Sequence, residues 1–130
     1  MSEIPQDLQY TKEHEWLRND GDGIATIGIT DHAQESLGDI TYVELPETGD
    51  TFSPGDAFGV VESVKAASDL YMPVGGVIIE TNAELLDSPE KVNESPYGNG
   101  WMVRVKLDPE GTSTGLLTPS AYTDIVGDNN

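Results

Sequence analysis

The chain has 130 residues and no cysteine, and its 24 acidic against 6 basic residues leave a formal charge of −18. That length suits one domain, 1–130, able to bury about two-thirds of its unfolded surface. Without cysteine there is no disulfide framework, thiolate zinc site, iron–sulfur cluster or thiol nucleophile, and the charge argues against nucleic acid and anionic membranes, which both call for Lys and Arg.

Two histidines, His14 and His32, leave little for a histidine-rich metal site. No apolar run approaches the roughly 18 residues of a membrane span. The start, Met-Ser-Glu-Ile-Pro-Gln-Asp, has the marks of neither a secretion signal nor a transit peptide, so a cytoplasmic protein is expected.

Taken in chain order, residues 1–8 are expected to fray. Glu13, His14 and Glu15 form a polar cluster before Trp16. Alternation through Glu15-Trp16-Leu17-Arg18 predicts an ordinary edge strand with Trp16 buried and Glu15 exposed. After the turn Asp20-Gly21-Asp22-Gly23, residues 24–29 read as a strand. Asp31 with Gln34 predicts a capping box, Ala33 and Leu37 share a helical face, and Gly38 ends the helix. His32 falls at or next to the first helical position, where the helix dipole disfavours a proton on the imidazole. A surface histidine in a first turn is the plainer alternative.

Residues 40–45 are β-branched and end at Pro46-Glu47-Thr48-Gly49-Asp50. Ser53-Pro54-Gly55-Asp56 is a strong turn signal ahead of a strand at 57–62. Residues 74–81 and 101–107 complete the clearer strands. In the latter, Trp101, Val103, Val105 and Leu107 alternate with Met102, Arg104 and Lys106, a half-buried strand with its cations outward. Ser88-Pro89 reads as an N-cap and first position of a single turn, and Thr118-Pro119 opens a helix with Tyr122, Ile125 and Val126 on one face. The tail 127–130 is expected to fray. Short strands with few, short helices predict an all-β sandwich or barrel.

Lys65 lies in Glu62-Ser63-Val64-Lys65-Ala66-Ala67-Ser68-Asp69, whose small residues suit a tight hairpin. A lysine at such a tip projects into water. That is poor geometry for a Schiff-base lysine, which needs a desolvating pocket. It is good geometry for a lysine that another enzyme grips and acylates. Any exposed hairpin can also carry a merely solvated lysine. No nucleophile elbow, phosphate-binding glycine loop or metal-ligand spacing is present, so nothing here builds an enzyme's active site.

The run Phe58-Gly59-Val60-Val61-Glu62-Ser63-Val64-Lys65-Ala66 strongly resembles the lipoyl-attachment motif of the glycine cleavage system H proteins. Further segments resemble that family in order: Tyr10-Thr11-Lys12-Glu13-His14-Glu15-Trp16, Ile27-Gly28-Ile29-Thr30-Asp31-His32-Ala33-Gln34, Gly38-Asp39-Ile40 into Val43-Glu44-Leu45-Pro46, Val92-Asn93-Glu94-Ser95-Pro96-Tyr97-Gly98 and Gly100-Trp101-Met102. The resemblance implies a flattened β-sandwich, or barrel-sandwich hybrid, with short peripheral helices. It implies a non-catalytic carrier with lipoate bound covalently as N6-lipoyllysine at Lys65. The implied partners are a pyridoxal-phosphate glycine decarboxylase, a tetrahydrofolate-dependent aminomethyltransferase, dihydrolipoamide dehydrogenase and a lipoyl ligase or transferase. A monomer is expected. By position, Glu15, His32 and Asp69 match the family's cleft for the loaded arm, where carboxylates and a neutral imidazole hold the aminomethyl cation. The Gly/Thr-rich stretch 109–115 departs from the family, which usually carries a more regular, often helical, segment there.

The rival readings are weaker. Lipoyl domains of 2-oxoacid dehydrogenases and biotin carriers place Asp-Lys-Ala or Met-Lys-Met at the tip, whereas here it is Val64-Lys65-Ala66. An unmodified β-sandwich module would make Lys65 incidental, and an enzyme using Lys65 and His32 lacks an enclosing pocket. Between residues 19 and 90 there are 15 acidic residues and one base, Lys65. Solubility or a salt-adapted source would explain such acidity. An acidic face steering the arm toward basic patches on its partners is the sharper expectation, and partner turnover indifferent to salt would contradict it.

Overall fold

A computed structural model describes residues 4–107 and 116–126. The chain enters through β1 (Gln9–Tyr10), β2 (Glu15–Gly21) and β3 (Ile24–Ile29), an antiparallel meander. The β2–β3 turn places Gly21, Asp22 and Gly23 all at positive φ, which glycine adopts freely and aspartate better than most residues. Helix α1 (Asp31–Leu37) leads to β4 (Ile40–Glu44) and the short β5 (Thr51–Phe52). Strands β6 (Ala57–Ser63) and β7 (Ala67–Tyr71) form a hairpin, and β8 (Gly76–Thr81) follows. Two single-turn helices, α2 (Glu84–Asp87) and α3 (Lys91–Glu94), precede β9 (Val103–Leu107), and α4 (Pro119–Val126) comes last.

All pairings are antiparallel. One sheet has the order β1-β2-β3-β9-β8-β5 and the other β4-β6-β7. Their facing sides bury Leu17, Ala25, Ile27, Ile78, Val103 and Val105 against Ile40, Val43, Val61 and Leu70 in one apolar cluster. Each such valine, leucine or isoleucine contributes roughly 1.5–3 kcal/mol of transfer free energy. A second cluster of Leu8, Tyr10, Trp16, Tyr122 and Val126 covers the opposite face of the first strands and seats α4 on them.

Strand β2 is therefore covered on both faces. Trp16 lies in the second cluster and Leu17 in the first, so Glu15, Trp16 and Leu17 are all buried. The predicted exposure of Glu15 is incorrect for that reason. The Trp16 indole N–H donates to the Pro96 carbonyl at 3.0 Å, and a Cβ added at Gly28 would stand 2.8 Å from the ring. Gly28→Ala is expected to destabilise the protein by about 1–3 kcal/mol through overpacking a tethered ring. Urea unfolding measures this, and an unchanged midpoint would contradict it.

Several other expectations need correction. Helix α1 is capped by Thr30 rather than Asp31: Thr30 is extended and its Oγ1 accepts from the Ala33 N–H at 3.2 Å, while Gln34 Nε2 donates to Asp31 Oδ1 at 2.7 Å. Met102 is buried in the main cluster, because it precedes β9 and its N–H pairs with the Ile27 carbonyl at 2.9 Å, so the alternation does not reach it. Ile125 is 43% exposed, since α4 packs only along the Tyr122–Val126 stripe. The described part of 1–8 is packed rather than frayed: Leu8 is buried, Ile4 lies against the second cluster, and Tyr10 Oη donates to the Pro5 carbonyl at 2.5 Å. Helix α2 is not among the predicted elements, and its N-cap, Ala83, makes no side-chain cap hydrogen bond. The 109–115 stretch and the tail 127–130 lie outside the described residues. Among the described residues no helix is long and apolar enough to cross a membrane.

Candidate functional site

The β6–β7 hairpin presents Lys65. Ser63 closes its turn: the Ser63 N–H donates to the Ala66 carbonyl at 2.8 Å, and Ser63 Oγ accepts from the N–H groups of Ala66 at 3.1 Å and Lys65 at 3.3 Å. The Val64 N–H donates to the Asp39 carbonyl at 3.2 Å, tying the tip to the corner between α1 and β4. Lys65 is exposed, as the hairpin reading predicts, and Val64 beside it is 70% exposed. The lysine stem passes over Gly38, the C-cap of α1 at φ +80°. A Cβ there would sit 3.4 Å from Lys65 Cε. Glycine thus serves both the left-handed cap and the path of the lysine.

Glu15 opens β2 and is buried. Its Oε1 accepts from Thr11 Oγ1 at 2.6 Å, and its Oε2 accepts from the Tyr71 N–H at 3.2 Å, satisfying a donor on the open edge of β7. Burial pushes its carboxyl up to about 7, while the bonds from Thr11 and Tyr71 oppose the rise. Glu15 lines a cleft of about 570 Å³ with Lys12, Glu13, Gly55, Tyr71 and Met72. A buried carboxyl that titrates near neutrality, beside open volume, suits an incoming cation.

His32 is half-buried on the first turn of α1. Its ring lies 4.7 Å from that of His14, the residue before Glu15. His14 is thus next to Glu15 in the chain and against His32 in space. Asp69 stands apart from them. It is exposed on β7, paired with Val60, and lines a groove of about 300 Å³ that includes Glu44, Leu45, Pro46, Phe52 and Val60. Tyr71, two residues further along β7, links the two regions through its bond to Glu15.

Thr11, Tyr71, His14 and Tyr122 shape the site without having been singled out for it in sequence. His14 lies within the polar cluster before Trp16, and Thr11 two residues ahead of that cluster. The roles of Tyr71 and Tyr122 depend on partners 56 and 108 residues away in the chain, for which no local pattern exists. Among the described residues no group of three or more His, Cys, Asp or Glu side chains is placed to hold a metal ion.

Two facing antiparallel sheets, with a lysine at the tip of an exposed hairpin, define a barrel-sandwich of the lipoyl-domain type. The family profile of the glycine cleavage H-protein matches residues 8–129. The glycine cleavage system H protein of Carboxydothermus hydrogenoformans is 56% identical over 126 residues, covering 97% of this chain and 96% of its own. That of Rubrobacter xylanophilus is 59% identical over 122 residues, covering 94% of each. The crystal structure of a glycine cleavage system H protein from Mycobacterium marinum matches with a TM-score of 0.85 at 40% identity, covering 97% of this chain and 98% of that one. The chain belongs to the glycine cleavage H-protein family.

Proposed function

We propose that the chain is a single, cytoplasmic, non-catalytic carrier domain that bears a lipoyl group in amide linkage on Lys65. The observation that carries this reading is the presentation of Lys65: an exposed amine at the tip of a hairpin held by Ser63 and the Asp39 carbonyl. The residues present fit such a group. The tip is open to a modifying ligase or transferase, and Gly38 leaves room beside the lysine stem. When bound, the lipoyl group would supply a dithiolane disulfide able to accept an aminomethyl group, with glycine decarboxylase, a tetrahydrofolate-dependent aminomethyltransferase and dihydrolipoamide dehydrogenase as the partners of that chemistry.

This chain's own residues then have simpler tasks. Ser63 and Asp39 hold the tip. Glu15 and His32 receive the cationic end of the loaded arm and keep water from it, and Asp69, in the neighbouring groove along β7, contributes its negative charge. Glu15 suits this because an arriving cation lowers the cost of ionising a buried carboxyl. Intact mass tests the reading after expression with lipoate and a lipoyl ligase. One lipoyl increment is expected, and a further aminomethyl increment after incubation with glycine and the decarboxylase. A biotinyl increment, or none with active ligase, overturns it.

A further inference from the structure

His14 occupies an unusual place. Its backbone is left-handed, φ +73°, at a residue that is not glycine, a conformation that costs energy and persists only where surroundings enforce it. Three contacts enforce it. The His14 N–H closes a turn onto the Thr11 carbonyl at 3.0 Å, and the His14 carbonyl accepts from the Thr30 N–H at 3.0 Å. Its Nδ1 meets Tyr122 Oη at 2.8 Å.

Tyr122 Oη also bonds Thr30 Oγ1 at 2.7 Å, the oxygen that caps α1. One phenolic oxygen, delivered by α4, therefore references both the ring of His14 and the start of the helix that carries His32. The phenol is itself fixed, because its ring stacks on Tyr10 at 4.7 Å with 7° between planes. Burial pushes it up to about 12, so it remains a donor at any physiological pH. Burial and the facing His32 hold His14 below the usual imidazole range, with Glu13 opposing, which favours a neutral ring. The His14 ring then packs on His32 at 4.7 Å and a 43° tilt.

We propose that His14 is a positioning residue of the arm cleft: Tyr122 on the C-terminal helix fixes the His14 imidazole, and that imidazole sets the orientation of His32. This rests on the carrier reading for its purpose, since an oriented His32 matters for holding the loaded arm. Its physical content, a chain of contacts from α4 to His32, does not depend on modification.

The test separates the two. In the unmodified chain, Tyr122→Phe keeps the stacking ring and removes only the hydroxyl. Its His32 ring proton resonances are expected to shift and their Overhauser contacts to the His14 ring to weaken, with the rest of the spectrum preserved. Unchanged His32 resonances and contacts overturn the proposal whether or not Lys65 is ever modified. In the lipoylated, aminomethyl-loaded protein, His14→Asn, which retains a residue tolerant of positive φ, is expected to speed loss of the aminomethyl group to water. The factor is about threefold to tenfold, the worth of one lost hydrogen bond. In a His32→Ala background the same change should have no further effect, because His14 acts through His32. An undiminished effect there overturns the positioning role, while failure to load at all counts against the carrier reading alone.

Discussion

Lys65→Arg is expected to abolish attachment of the lipoyl group and to reduce glycine-dependent turnover with the partner enzymes at least about a hundredfold, because no amine remains to be acylated where the arm must swing. The guanidinium keeps the charge and much of the length of lysine, but it stays protonated and does not act as an acyl acceptor under these conditions. The other lysines are poor substitutes. Lys91 lies on α3 with Nζ 3.9 Å from Glu84, Lys106 lies within β9, and Lys12 lies at the mouth of the Glu15 cleft. Because the position is exposed, the melting temperature should be unchanged. Intact mass checks the result, and a lipoyl increment retained in Lys65→Arg would contradict it. Amide formation at Lys65 would remove the one base between residues 19 and 90 and take the formal charge from −18 to −19. Modification would leave residues 19–90 without a basic side chain.

Glu15→Gln is expected to stabilise the unmodified protein at neutral and alkaline pH. Burial raises the Glu15 carboxyl from 4.5 in an unhindered chain to about 7 in the fold. Below pH 4.5 both states hold the proton and no penalty arises. As pH rises from there to 7 the unfolded chain gives up its proton first, so stability falls, and above 7 the loss is complete. At about 1.4 kcal/mol per unit, the loss comes to roughly 3 kcal/mol. Glutamine can accept from the Tyr71 N–H and donate to Thr11 Oγ1, and it has no charge to desolvate. The gain of Glu15→Gln over the natural chain should therefore grow by about 2–3 kcal/mol between pH 5 and pH 8. Urea unfolding across that range, above the pI of 4.1, measures it, and parallel stability curves would contradict it. The same substitution is expected to shorten the lifetime of the loaded arm, so stability and function pull this residue in opposite directions.

Lys65 and its hairpin were legible in the sequence, because a strand, a run of small residues and a second strand are a local pattern. Strand β3 was equally plain, preceded by the turn Asp20-Gly21-Asp22-Gly23 and rich in isoleucine. Glu15 was misread for a physical reason. Alternation assumes one wet face, but β2 is covered on one side by the small sheet and on the other by α4 and Trp101. In sequence His14 is part of a polar cluster, and only the fold brings Tyr122, 108 residues away, against its ring.

By itself, then, the sequence determined the all-β class, the exclusion of thiol chemistry and the exposure of Lys65 on its hairpin. All of these rest on composition or on contacts between near neighbours. Only the tertiary structure decided that Glu15 is buried with a carboxyl near 7, that Asp69 lines a different groove, and that α4 reaches His14. Burial and electrostatics depend on what arrives from distant strands, and no window of neighbouring residues contains that information.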